Sequence, residues 1–323
     1  VVNLASHPVF VSLTPVFLLI GLGYLAGRLQ WIRDAAVKDL SNLVFMVLIP
    51  ALLFRTMSAV RFEALDLRPL LAYFPAALVL LAVCIAWRGA HRRSVVIGLA
   101  STFSNMVMIG ITLVELAYGK AGLVTLLTLV SVHALILLSV GSVVLELVVA
   151  RESRERGGEA PHLWATVGSV AKGTLIHPIP LPIICGLLFA QTGWALPVVI
   201  DKPLQLLGSA FGPIALVLVG VSLASTPLTG HWRAALQVVL TKNLVLPLLV
   251  GLGAWGVGIT GLPLTVVVVA AALPVGANVF LFAQRYDTAK ELTTASMGLS
   301  TVAALFTLSL VMAAMSWLNP LTG

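Results

Sequence analysis

The chain has 323 residues, of which 59% are hydrophobic and only 10% charged, with a mean hydropathy of +1.08. That excludes an ordinary soluble domain and makes lipid the solvent, where helices are the spanning element because irregular backbone cannot face hydrocarbon unsatisfied. The formal charge of +7 does not indicate a nucleic-acid partner, since the basic residues sit in short loops between apolar runs and form no stripe.

Breaking the chain at charge clusters and Gly/Pro turns gives ten apolar runs: 9–29, 39–57, 69–87, 94–118, 121–149, 175–193, 203–225, 232–256, 263–285 and 292–317. The first run is too long for the core of a signal peptide and reads as a retained helix, with room for residues ahead of Val1. Cys84 and Cys185 lie inside apolar runs and read as buried packing residues. Of the nineteen Lys and Arg residues, thirteen fall in odd-numbered loops and five, Arg55, Arg61, Arg68, Lys120 and Lys202, in even ones. This bias places odd loops in the cytoplasm and both termini outside, and it leaves Lys242 on neither face.

The hydrophilic stretch 150–162 divides a five-helix repeat, 1–149, from a second one, 163–323. For the segment 163–172, just after the linker, a short interfacial helix and a plain loop are both open readings. The halves echo each other: Pro50 pairs with Pro213, Pro75 with Pro247 and Asn105 with Asn278. Five is an odd number of crossings, so the second copy must be inverted, which is the usual architecture of secondary transporters.

Spans 4 and 9 carry the densest polar residues at mid-membrane depth. Span 4 has Ser101, Thr102, Ser104, Asn105, Gly110 and Thr112, and span 9 has Pro274, Gly276 and Asn278. Such residues also serve plain tight packing between helices. Their recurrence at matching positions of both halves favours two broken helices that cross, whose half-helix N-termini would suit an anion.

Two ionisable residues stand deep in the apolar runs. Lys242 lies near the middle of span 8, beyond the reach of snorkelling, and must face carbonyls, a wet cavity or an anion. One reading makes it a structural tie on broken-helix carbonyls; the other gives it substrate attraction or proton coupling. His133, at the centre of span 5, is either hydrogen-bonded packing or a ligand contact and proton relay. Glu115, Glu146 and Arg285 fall near span ends, where interfacial solvation suffices. No acidic residue falls at mid-membrane, which disfavours a carboxylate-built Na+ site. The sequence has no GxxxxGK[ST] loop, no HExxH zinc motif and no nucleophile elbow, so neither an enzyme, a cofactor nor a metal is expected.

Several segments resemble the auxin efflux carrier family, which includes plant auxin carriers and bacterial organic-acid permeases. They are LSNLVFMVLIPALLF in span 2, SNMVMIGITLVELAYG in span 4, TKNLVLPLL in span 8, and ANVFLFAQRY followed by GLSTVAALFTL. The span 4 piece is similar to the plant Asn-x4-Gly-Ile-Pro-Leu motif at Asn105, Gly110, Ile111 and Leu113, with Thr112 in place of the crossing proline. The second crossing proline falls on Val279, Lys242 matches the family lysine, and His133 stands where plant carriers have a substrate-facing Gln. The plant carriers' acidic residue in span 3 has no counterpart here, so auxin specificity does not carry over.

The resemblance implies a scaffold of spans 1, 2, 6 and 7, a transport domain of spans 3–5 and 8–10, an elevator-like motion and a homodimer formed through the scaffold. It implies a small organic carboxylate, malate-like or malonate-like, carried across the cytoplasmic membrane. The expected binding residues are Asn105, Gly110, Thr112, His133, Lys242, Gly276 and Asn278, with Ser104, Pro50, Pro213, Pro274 and Val279 shaping the crossing. Proton coupling or uniport is favoured over Na+. The alternative of a different class is a membrane sensor that keeps the transporter fold and binds without flux.

Overall fold

The computed structural model describes residues 8–155, 179–225 and 231–320. Those residues fold into helices α1 (Pro8–Arg28), α2 (Asp34–Leu43), α3 (Ile49–Met57), α4 (Arg68–Arg88), α5 (Arg92–Ala100), α6 (Ile111–Glu155), α7 (Pro180–Gln191), α8 (Val198–Ala224), α9 (Trp232–Leu240), α10 (Leu246–Gly256), α11 (Gly261–Ala272), α12 (Asn278–Arg285) and α13 (Lys290–Leu318). Among the described residues, six helical stretches are long and apolar enough to cross a membrane: Ala35–Met57, Arg68–Arg88, Met106–Glu152, Val198–Ala224, Trp232–Gly256 and Lys290–Leu318. Three shorter apolar helices, Leu13–Arg28, Leu181–Gln191 and Gly261–Ala272, lie beside them. The longest stretch is not one straight helix. Gly119 takes φ 61° and ψ −160°, a backbone that breaks the helix between the fourth and fifth expected spans.

The outer surface is apolar, as lipid requires, with Leu18, Leu71, Leu248, Leu252 and Phe306 exposed. Trp31, Trp87, Trp194, Trp232, Trp255 and Trp317 are exposed at or near helix ends, where an indole meets headgroups at a membrane interface.

Small residues set the closest helix contacts. A Cβ on Gly23 would stand 2.0 Å from the Val217 carbonyl oxygen, and one on Gly220 would stand 2.0 Å from that of Ile20, so α1 and α8 touch backbone to backbone. Gly186 of α7 meets Phe54 of α3, and Gly208 of α8 meets Leu52. One group of mutually packed helices is thus α1 with α2, α3, α7 and α8. In the other, α4 packs on α5 and α10, α11 packs on α6, α10 and α13, and α9 packs on α13. Gly253 of α10 lies against the Ala72 carbonyl of α4 in that second group.

Three expectations are corrected. Residues 150–155 of the expected linker continue α6, and Glu152 pairs with Arg92 Nε at 2.6 Å. The rest of the linker, the segment 163–172 and the start of the sixth span lie outside the described residues. Cys84 is buried, but Cys185 is exposed on α7, because it falls on the outward stripe with Leu181, Ile184 and Leu188. Glu146 is not solvated at an interface: it is buried and accepts a 2.9 Å hydrogen bond from the Tyr286 hydroxyl. The proline pairs that echo in sequence differ in local geometry. Pro50 and Pro247 each follow a π turn by two residues, with i−5 bonds from Ile49 N–H to the Val44 carbonyl and from Leu246 N–H to the Thr241 carbonyl. Pro75 and Pro213 lie inside regular helix. A π turn relieves the clash between a proline ring and the preceding turn of helix.

Candidate functional site

Two interrupted helices meet in the second helix group. In the first, α5 stops because hydroxyls bond back to its last turn: Ser101 Oγ donates to the Ile97 carbonyl at 2.9 Å and Thr102 Oγ1 to that of Gly98 at 3.1 Å. Helix resumes at Asn105, which has φ −77° and ψ 60°. Its Oδ1 accepts the Met108 N–H at 3.2 Å and its carbonyl accepts the Gly110 N–H at 3.1 Å, opening a π turn that leads into α6. In the second, α11 ends at Ala272, and Leu273 is extended at ψ 150° as the residue before a proline must be. Helix resumes with α12 at Asn278.

The two breaks cross as a minimal antiparallel bridge between Ser104 and Val275. Asn105 N–H donates to the Pro274 carbonyl at 2.8 Å, and Gly276 N–H donates to the Phe103 carbonyl at 2.9 Å. Gly276 is required for this approach, since a Cβ there would fall 2.7 Å from Phe103 Cδ1. Gly110 is similarly pressed by Leu273, whose Cδ1 would stand 2.6 Å from an added Cβ.

Breaking a helix orphans the carbonyls at its C-terminal end, and here neighbouring helices supply the donors. Lys242, fully buried in the π turn between α9 and α10, donates from Nζ to the Ala271 and Leu273 carbonyls at 2.6 Å each. Its ammonium thus sits at the negative end of the α11 dipole. The Tyr73 hydroxyl of α4 donates to the Thr102 carbonyl at 3.2 Å, shares a 2.8 Å hydrogen bond with Ser104 Oγ and lies 3.3 Å from His133 Nε2. Ser300 Oγ of α13 accepts the Val275 N–H at 3.0 Å, and Asn243 Nδ2 fastens the Ser300 carbonyl.

The crossing therefore gathers Ser104, Asn105, Gly110, Pro274, Gly276 and Asn278, with His133 and Lys242 against it. Asn105 and Asn278 are only half-buried. His133 is buried, with its ring 4.3 Å from that of Phe103 between centroids and further contacts to Tyr73 and Phe74. Of the two readings for Lys242, its bonds are those of the tie on broken-helix carbonyls. Thr112, the second residue of α6, is buried; its Oγ1 has no hydrogen-bond partner and would stand 3.0 Å from a Cβ on Gly212 of α8. Val279 is fully buried in α12. Pro50 and Pro213 are not part of the crossing; they stand on α3 and α8. Sequence reasoning missed Tyr73, whose signal was a phenol in an otherwise apolar span, because a buried Tyr hydroxyl needs a partner.

Two cavities lie elsewhere. One of about 470 Å³ is bounded by α1, α8 and α13 near Tyr24, Arg28 and Thr301. One of about 790 Å³ opens among α3, α6, α7 and α8. Asn105, Thr112, His133, Lys242 and Asn278 line neither. Among the described residues no three His, Cys, Asp or Glu side chains gather as metal ligands would.

The family described as membrane transport protein matches residues 8–312. A protein of Rhizobium meliloti (strain 1021), provisionally named a malonate transporter, is 26% identical over 303 residues, covering 91% of this chain and 92% of that protein. Auxin efflux carrier component 8 of Arabidopsis thaliana is 24% identical over 337 residues, covering 89% and 90%. With its apolar helices, its exposed tryptophans and a match over nearly its whole length, the chain belongs to the membrane transport protein family, that of the auxin efflux carriers.

Proposed function

We propose that the protein is a secondary carrier or uniporter for a small organic carboxylate of the malonate or malate kind, working by an elevator motion in the cytoplasmic membrane. The observation that carries this reading is the pair of crossing breaks, with half-buried Asn105 and Asn278 at the heads of the two resumed helices. Both helix heads present N–H groups and positive dipole ends, and the carboxamides add donors that a carboxylate can accept. The fully buried Lys242 adds positive potential behind the crossing without reaching the ligand, and His133 stands behind Phe103 as the candidate proton-coupling group.

In this reading the chain makes ten spans in two inverted repeats with both termini outside. Helices α5 and α11 with their resumed halves are spans 4 and 9. The group of α1, α2, α3, α7 and α8 is the scaffold and the dimer surface, and the second group is the moving transport domain. The unpaired Thr112 hydroxyl against Gly212 marks the contact between them. The malonate transporter relative supports the carboxylate class, and the missing acidic residue in span 3 argues against auxin.

Uptake of radiolabelled malonate, malate and succinate into proteoliposomes tests the reading. Wild-type protein is expected to carry at least one of them, and Asn105→Ala with Asn278→Ala is expected to lower uptake about tenfold or more, as loss of two to three ligand hydrogen bonds implies. Saturable binding without flux in any gradient would replace the carrier with the sensor.

A further inference from the structure

The larger of the two cavities, about 790 Å³, is lined by more charged residues than the smaller one, and it lies apart from the crossing. Five ionisable residues line it: Arg55, Arg61, Glu115, Lys120 and Asp201. Arg55 is held bidentately by Asp201, Nε to Oδ1 at 2.7 Å and Nη2 to Oδ2 at 3.1 Å, which joins α3 to α8 and cancels both charges. Arg61 and Lys120 form no ion pair among the described residues. Arg61 projects over the turn at Gly193, its Nη2 3.8 Å from a Cβ placed there. Lys120 lines the recess from α6, next to the Gly119 break.

The floor of the recess reaches towards the crossing. It includes Leu52 and Leu123. Leu52 packs on Gly208, one turn from Gly212 and its contact with Thr112, and Leu123 lies one turn from Leu126, which touches the Gly110 position. Along α6, Lys120 itself stands eight residues beyond the unpaired Thr112 hydroxyl, so an anion held in the recess would wait about two helical turns from it.

We propose that this recess is a capture site for a small dicarboxylate, one carboxylate on the planar fork of Arg61 and the other on Lys120, ahead of the crossing. The inference rests on the carrier reading and adds to it a second, upstream anion site. A fork from the segment after α3 and a point charge from α6 suit a dianion better than a monoanion. Glu115, on the same wall as Lys120, opposes capture by repulsion, so it tunes the site towards release inward or outward.

Steady-state malonate uptake in proteoliposomes at low and high ionic strength tests this. Lys120→Gln and Arg61→Gln should each raise KM about threefold at low salt with kcat unchanged, and Glu115→Gln should lower KM by a similar factor. All three differences should shrink in high salt, and Lys120→Arg should restore the wild-type KM. A merely structural role for these residues would not give opposite shifts for opposite charges. If wild-type protein carries malonate and the variants, checked as monodisperse after purification, keep its KM at both salts, the capture site is overturned alone. If wild-type protein carries none of the dicarboxylates, the carrier reading fails and the capture role falls with it.

Discussion

Lys242 and Tyr73 approach the crossing from different helices and meet the same physical need. Each caps the orphaned C-terminal carbonyls of a helix that stops inside the protein, Lys242 for α11 and Tyr73 for α5. Lys242→Met keeps the stem and removes both bonds. Two effects then oppose each other: the desolvated ammonium is relieved, while two carbonyls fixed by the Pro274 turn stay buried and unpaired at ~1–3 kcal/mol each. The second wins because the turn cannot relax, so a net loss of about 2 kcal/mol is expected. Tyr73→Phe should cost about 1 kcal/mol by the loss of its hydroxyl bonds. Thermal unfolding in detergent reads both, with the half-exposed Tyr24→Phe as the neutral control; an unchanged midpoint for Lys242→Met would show that the cap does not hold the crossing. The depth of Lys242 was legible in sequence because a long, mainly apolar run flanks it on either side. Its partners were not, since a carbonyl acceptor leaves no mark in the side-chain code.

At the scale of an element, three π turns share one spacing. Val44–Leu48 is followed two residues later by Pro50, Thr241–Val245 by Pro247, and Met106–Gly110 by Thr112, the position to which the family resemblance assigns the crossing proline. The backbone around Thr112 thus keeps the geometry of a proline site, although threonine retains its N–H. A proline in a regular helix interior costs ~3 kcal/mol through the lost bond and the ring clash. At position 112 the clash is already relieved, so Thr112→Pro is expected to cost less than about 1 kcal/mol. Leu129→Pro, in the regular part of α6, should show the full penalty, and equal losses in unfolding midpoint for the two variants would refute the idea. The breaks themselves were legible from Ser, Asn, Gly and Pro at mid-membrane depth. The bridge that joins them was not, because two backbone hydrogen bonds between residues some 170 apart carry no local periodicity.

Among the contacts that hold the whole molecule together, some cannot slide and at least one can. Helices α1 and α8 meet with backbone atoms so close that a Cβ on Gly23 or Gly220 would overlap a carbonyl oxygen, which pins the first helix group together. The contact between Gly212 and Thr112 joins the two groups instead, and it is a smooth one: a glycine surface against a hydroxyl that no hydrogen bond holds. In an elevator these two residues must part, whereas in a fixed binding protein they stay together. Their geometry allows the difference to be read directly, because a Cβ on Gly212 would lie 3.6 Å from Thr112 Cβ, within the range a disulfide accepts. With Cys84 and Cys185 replaced by Ala, Thr112→Cys combined with Gly212→Cys should cross-link on mild oxidation. Uptake should then fall by about tenfold or more and return on reduction, while each single cysteine variant is indifferent to oxidant. A fully formed cross-link that leaves uptake intact would mean that α6 and α8 stay together during transport, and the motion would have to be sought within the second helix group itself.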